Sequence, residues 1–264
     1  MEPTQGARTF QASGDDYDAF MGRYSRPLGV VFAEACGVVP GQSVLDVGCG
    51  PGALTGVLVD LVGSGAVRAF DPSPQFVADC GARHPGVDVR LGRAEAIPFD
   101  DGVFDVALAQ LVLHFVTDPL QAATELRRAV RPGGSVGACV WDFAGGMQML
   151  RTFWDAALAV RPDAPDEART MKFGRQGEIA ELFGGAGFDD IREATLDVSS
   201  TYGSFDELWS GFLAGVGPAG AFCVSMSNDE RAAVRDGLFV RLGSPDGAFE
   251  LSATARYALG HVPI

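Results

Sequence analysis

Residues 44–55 read Val44-Leu45-Asp46-Val47-Gly48-Cys49-Gly50-Pro51-Gly52-Ala53-Leu54-Thr55. A short apolar run broken only by one acid passes into a glycine turn and then into a helical pattern. A run this apolar fits a strand buried on both faces, which is the property of parallel sheets covered by helices. The rest of the chain agrees, because short β-branched runs alternate with amphipathic stretches. Strands are predicted at 43–47, 66–70, 87–91, 104–109, 135–141, 191–198 and 249–258, and helices at 52–62, 74–83 and 118–130. Their spacing fits right-handed βαβ crossovers in an α/β, doubly wound sheet. Two short helices, 15–22 and 27–37, are expected before the first strand, joined at Arg23-Tyr24-Ser25-Arg26. Beyond Trp141, helices at 143–158, 176–187, 205–214 and 229–242 are placed to roof a pocket.

Length and charge narrow the function. A chain of 264 residues with 47% hydrophobic residues can bury a sizeable core as one large domain. Its formal charge of −14 opposes attraction to phosphate backbones or anionic lipid, so neither nucleic acid nor a membrane surface is expected as a partner. The five cysteines are scattered and never in Cys-x-x-Cys spacing, which argues against a disulfide framework or a zinc site and for a reducing cytoplasm. The opening Met1-Glu2-Pro3 lacks a basic region and an apolar stretch, so export is not indicated. No His, Asp or Glu set has clear metal spacing, and no metal is expected.

Ligands of open α/β sheets bind at the carboxyl ends of the strands, which puts the glycine turn at the site. There the helix N-terminus near Gly52 offers N–H groups and a positive dipole to an anion. The pattern Gly48-x-Gly50-x-x-Ala53 also satisfies the dinucleotide fingerprint, so context must decide. Asp46 decides it: an acid there can face a ligand's ammonium group, whereas it would crowd a pyrophosphate. Asp71, 25 residues on, closes the second strand where ribose hydroxyls are captured, or else caps the helix starting near Pro74. An adenosine joined to an amino acid fits both acids.

Four ordered motifs now carry a resemblance. They are the glycine turn, Ala69-Phe70-Asp71-Pro72-Ser73, the segment Gly92-Arg93-Ala94-Glu95-Ala96-Ile97-Pro98-Phe99-Asp100-Asp101-Gly102-Val103-Phe104-Asp105, and 126–141 with Arg131-Pro132-Gly133-Gly134. Over about half its length the chain resembles a class I S-adenosylmethionine-dependent methyltransferase of the small-molecule type 11 group, which is ubiquinone/menaquinone-methyltransferase-like. The resemblance implies a single domain with a Rossmann-like, mostly parallel seven-stranded sheet and an inserted helical lid. In it 1–42 are N-terminal helices, 43–142 the cofactor-binding core, and 143–264 the acceptor-side insertion and sheet completion. It implies that Asp46, Gly48, Cys49 and Gly50 surround the methionine part. Asp71 would take the ribose hydroxyls, with Pro72 or Ser73 against the adenosine. The adenine would meet Arg93, Ala94 and Glu95, with Arg93 where the family usually has an acid. Gln110 would face the methionine end, and Arg23 or Tyr24 would close over the carboxylate.

The implied reaction is methyl transfer from S-adenosylmethionine to O, N or C of a small organic acceptor, leaving S-adenosylhomocysteine. If the acceptor is a hydroxyl or a protonated amine, His114 beyond the fourth strand is the candidate base. Asp142 is a lesser candidate. Trp141, Phe143, Met147, Met149, Phe153 and Trp154 offer an apolar wall, or else the inward stripe of a helix. The alternatives are a non-catalytic cofactor-binding or sensor protein of the same fold, motivated by Arg93, and an NAD-dependent oxidoreductase, which the glycine spacing permits and Asp46 opposes.

Overall fold

The computed structural model describes residues 17–264. Its centre is a seven-stranded sheet in the order β3-β2-β1-β4-β5-β7-β6. The strands are β1 (Val44–Val47), β2 (Val67–Asp71), β3 (Asp88–Leu91), β4 (Phe104–Gln110), β5 (Val130–Trp141), β6 (Asp189–Tyr202) and β7 (Phe249–His261). Strands β1 to β5 pair in parallel, while β7 runs antiparallel to both β5 and β6. The sheet is thus mostly parallel and Rossmann-like, as the sequence pattern requires. Every residue of β1 is buried, whereas edge strand β3 is largely exposed. The chain leaves β1 toward β2 and returns on its other side to β4, so a crevice opens over the carboxyl ends of these strands.

Helices α1 (Arg23–Ala35), α2 (Ala53–Val62), α3 (Pro74–Arg83) and α4 (Pro119–Ala129) flank the parallel half. Local chemistry starts them: Ser73 accepts from Phe76 N before Pro74, and Asp118 accepts from Gln121 N before Pro119. Beyond β5 come α5 (Gln148–Val160), a single turn at Glu167–Thr170, α6 (Glu178–Gly185), α7 (Phe205–Leu213), α8 (Gly217–Ser225) and α9 (Asn228–Arg241). A capping box of Ser227 and Glu230 opens α9.

Three expectations change. The break at Arg23-Tyr24-Ser25-Arg26 is absent: a π-helical turn, Asp18–Gly22, runs directly into α1, and Pro27 lies inside it. Burial of Tyr24, Ser25, Leu28 and Phe32 along one stripe outweighs the breaking tendency of the proline. Positions 15 and 16 of the first predicted helix lie outside the described residues. The helix predicted from 143 starts only at Gln148, because Asp142 Oδ1 accepts from Ala144 N and Gly145 N and holds a turn there. Helix α8 was hidden by Gly217-Pro218, which reads as a turn but supplies the first helical residues.

Helices α7 and α8 bend by 84° against each other over the crevice. Phe212 of α7 stacks on Phe153 of α5 at 4.3 Å between ring centroids and meets Phe20 edge-on at 5.1 Å. This fully buried ring joins roof, core and N-terminal segment. Phe212→Ala is expected to cost about 3–5 kcal/mol of stability, read as a lower midpoint in urea unfolding.

Candidate active site

A cleft at the carboxyl ends of β1, β2, β4 and β5 holds a cavity of about 150 Å³, and a second chamber of about 50 Å³ adjoins it. Gly48, Pro72, Val112 and Phe115 line both, so they form one cleft. The glycine turn forms its floor. At Gly48 φ is +66° and a Cβ would stand 2.7 Å from Val112 Cγ2, so only glycine fits. At Gly52 the crowding group is the His84 ring, 2.6 Å from a built Cβ, and His84 Nε2 lies 2.9 Å from Gly52 O. Gly52 therefore serves the packing of α3 beneath the turn, and His84, which carries no functional signal in the sequence, holds that turn.

Two acids stand at one end. Asp46 is 1% exposed and accepts from Thr55 Oγ1 at 2.6 Å. Burial pushes its carboxyl up to about 7, the Thr55 hydrogen bond lowers it in part, and the charge of Asp71 raises it further. Asp71 accepts from Gly50 N at 2.9 Å and from Ser73 N at 2.8 Å, and burial pushes it up to about 6. Ser73, not Asp71, caps α3. Cys49 is buried beside them and Pro72 and Ser73 line the wall.

The smaller chamber is enclosed by Arg93, Ala94 and Glu95 with Phe70, Pro72 and Val112. Arg93 Nε lies 3.5 Å from Glu95 Oε2. Glu95 Oε1 accepts from Thr117 N and Asp118 N, which ties this segment to the start of α4. Arg93 is thus present at the chamber wall with its charge partly met by the neighbouring acid.

The other end is apolar with a few unpaired polar atoms. Gln110 donates from Nε2 to Ser25 O at 2.8 Å, and among the described residues its buried Oε1 has no partner. Among the same residues His114 Nδ1 and Trp141 Nε1 are also buried and without a partner. Buried polar atoms in this condition are rare in folded proteins, and three on one cavity mark where a ligand would bind. Leu111, beside Gln110, holds φ +61°, and its N–H donates to Cys139 O. A leucine in this conformation is backbone strain of the kind concentrated at functional sites. Phe143 lies against the His114 ring at 5.5 Å, and residues 216–219 close the roof. Burial pushes the His114 imidazole down to about 3, so it stays neutral and is a poor acceptor of a whole proton.

Not every residue singled out in the sequence reaches the cleft. Arg23 lies over the Tyr202 ring, 3.9 Å from its centroid, and pairs with Glu207. The Tyr24 hydroxyl is 3.2 Å from that of Tyr202. Both side chains therefore clamp α1 to β6 and α7. Tyr17, Phe20, Met21 and Ser25 line the cavity in their stead. These residues recur at helical spacing, a stripe legible in the sequence once the helix is continuous. Asp142 is spent on its turn and on Arg256 Nη2 at 2.8 Å, and does not line the cavity. Trp141 and Phe143 line it, whereas Met149, Phe153 and Trp154 are core. Glu167 lines it too, and no local pattern around Asp166-Glu167 announces that.

Residues 45–137 match the family model described as Methyltransferase domain, of type 11. An uncharacterised transposon protein of Streptomyces fradiae is 42% identical over 118 residues, which is 42% of this chain and 34% of that one. An uncharacterised Mycobacterium tuberculosis protein is 31% identical over 175 residues, 64% of this chain and 62% of its own. An uncharacterised methyltransferase of Mycobacterium bovis is 42% identical over 101 residues, 38% and 40% of the two chains. The matches thus span between 34% and 62% of these relatives' lengths. Among solved structures, a Bacillus halodurans protein provisionally assigned as a methyltransferase superposes with a TM-score of 0.60 at 15% identity, covering 89% of this chain and 99% of that one. Haemonchus contortus phosphoethanolamine N-methyltransferase 2, solved with phosphomonomethylethanolamine and S-adenosylhomocysteine, gives 0.56 at 17% identity, covering 90% and 53%. Over residues 45–137 the chain matches the type 11 methyltransferase domain, and its fold is that of S-adenosylmethionine-dependent methyltransferases.

The buried carboxyls make stability depend on pH. Asp46, Asp71 and Glu167 have folded-state values raised above their ordinary ones, so their contribution is fully present below about pH 4 and is lost as pH rises through 6 to 7. His114 acts oppositely, but its effect is complete once pH exceeds its ordinary 6.5. The ligand-free protein is therefore expected to melt lower at pH 8 than at pH 6.5, by roughly 2–4 °C for each kcal/mol lost, in a thermal scan.

Proposed function

We propose that the chain transfers the methyl group of S-adenosylmethionine to O, N or C of a small organic acceptor and releases S-adenosylhomocysteine. One observation carries this reading. A single cleft has two buried acids at the ends of adjacent strands on one side and three unpartnered buried polar atoms in an apolar chamber on the other. The acids fit the ammonium and ribose hydroxyls of such a cofactor, which also relieve their burial. When bound, S-adenosylmethionine supplies a methyl group already activated on a sulfonium.

The chain's own residues have three tasks. Asp46 would hold the ammonium, with the backbone of Gly48, Cys49 and Gly50 beside it, and Asp71 the ribose hydroxyls, with Pro72 and Ser73 along the adenosine. Arg93, Ala94 and Glu95 would border the adenine in the smaller chamber, and Gln110 Oε1 would meet the methionine end. The roof of 216–219 together with Phe20 and Met21 would exclude water and align an acceptor behind the methyl group. Because the acceptor wall is apolar, a small organic compound suits it better than a polymer.

Calorimetric titration tests the cofactor. S-adenosylmethionine and S-adenosylhomocysteine are expected to bind and NAD not; the reverse would overturn the reading. Asp71→Asn keeps the shape of the side chain but removes its charge, and is expected to weaken cofactor binding at least about tenfold, since hydrogen bonds to a charged group are worth roughly 1.5–3 kcal/mol each. Cofactor affinity is also expected to rise between pH 5.5 and 7, as Asp71 and Asp46 ionise through about 6 and about 7. Binding independent of pH over that interval would contradict their role.

A further inference from the structure

The acceptor end of the cleft contains an acid that no cation among the described residues answers. Glu167 is 4% exposed and lines the cavity with His114, Trp141 and Phe143. Its Oε2 accepts from Trp154 Nε1 at 2.8 Å, and among the described residues Oε1 has no hydrogen-bond partner. The adjacent Asp166 is equally buried but neutralised, since Arg151 Nη1 reaches its two oxygens at 3.1 and 3.0 Å and Arg169 approaches to 4.0 Å. A carboxyl buried without a cation is unfavourable, and a glutamine would serve the Trp154 bond with less penalty. A ligand that makes the acid useful accounts for it.

The charges around the cavity say what kind of ligand. Asp46, Asp71 and Glu167 line it, and among the described residues that line it there is neither a lysine nor an arginine. His114 is neutral there. A phenolate, carboxylate or phosphate would meet like charge with no cation of the chain to compensate it, whereas an ammonium group would be attracted to the carboxylate. Around that group the surfaces are apolar: Phe115, Phe143, Leu150, Val216 and Pro218.

We propose that the acceptor is an amine on an apolar body and that Glu167 is its recognition residue and general base. This rests on the methyl-transfer reading above. The carboxylate pairs with the ammonium form and takes one proton, freeing the nitrogen lone pair. That pair forms the new N–C bond as the methyl C–S bond of S-adenosylmethionine breaks, its electrons passing to sulfur. The products are the methylated ammonium, S-adenosylhomocysteine and a proton on Glu167, which leaves to solvent with the product. Burial, with the nearby charge of Asp166, raises the carboxyl to about 7, suited to accepting and returning a proton near neutrality.

The test uses the full chain with apolar amines, and with phenols and carboxylic acids of matched skeleton. Amines are expected to bind the S-adenosylhomocysteine complex and change tryptophan fluorescence, and to be methylated with S-adenosylmethionine. Glu167→Gln, which retains the Trp154 bond, is expected to bind amines at least tenfold more weakly. It should also lose at least a hundredfold in kcat/KM, and lose the limb of the pH profile near 7, with cofactor affinity within about twofold. Trp154→Phe retains the acid and should keep amine binding within a few-fold. Methylation of phenols or carboxylates but not amines, absence of amine binding to the complex, or a Glu167→Gln protein with unchanged amine binding and pH profile would overturn the inference and leave methyl transfer standing. Wild-type protein that binds neither cofactor form would overturn the methyl-transfer reading itself.

Discussion

The Asp71 carboxylate holds two loops at once. One oxygen accepts from Gly50 N in the turn after β1, the other from Ser73 N in the turn after β2. The parallel register of β1 and β2 brings those turns side by side, and Cys49 N donates to Phe70 O to close the same junction. An acid is required because both donors are backbone N–H groups, and it must be buried because the turns cover it. That burial raises its proton affinity and leaves a demand for hydroxyl or cationic partners that a nucleoside carrying an ammonium group meets. Stability of the turn and readiness for ligand thus come from the same side chain.

From this junction the cleft extends in two directions with different physics. Toward β3 the chamber is narrow and walled by Phe70, Pro72 and Val112, with Arg93 and Glu95 partly neutralising each other. Toward β5 the walls come from elements that follow the parallel half, namely α5, the turn at 167–170 and α8. The N-terminal segment borders the larger cavity. It is fixed by Arg23 and Tyr24, which grip Tyr202 and Glu207, and it presents Tyr17, Phe20, Met21 and Ser25 to the cavity.

The half of the cleft around Asp46 and Asp71 is legible in the sequence because its signals are local. A strand, a glycine turn and a helix start are consecutive in sequence, and Asp46 and Asp71 occupy positions fixed by strand ends. The half around Trp141 and Glu167 is not, because it is assembled from distant segments. Glu167 sits in a polar stretch that resembles any surface turn, and α8 begins with a Gly-Pro pair that reads as a loop. The family resemblance puts Arg23 and Tyr24 over the cleft. A continuous helix rotates them toward β6 and turns the neighbouring stripe inward. Likewise His114 looks like a base in sequence, yet between Phe115 and Phe143 its imidazole is held neutral.

A crystal structure of the chain with S-adenosylhomocysteine bears most directly on the central claim, that one cleft joins a cofactor end to an acceptor end. The predicted result is the amino-acid part against Asp46, the ribose on Asp71, the base between Ala94 and Val112, and the sulfur opening toward the chamber of Trp141 and Glu167. A ligand whose sulfur faces away from that chamber, or one seated clear of Asp46 and Asp71, would contradict it.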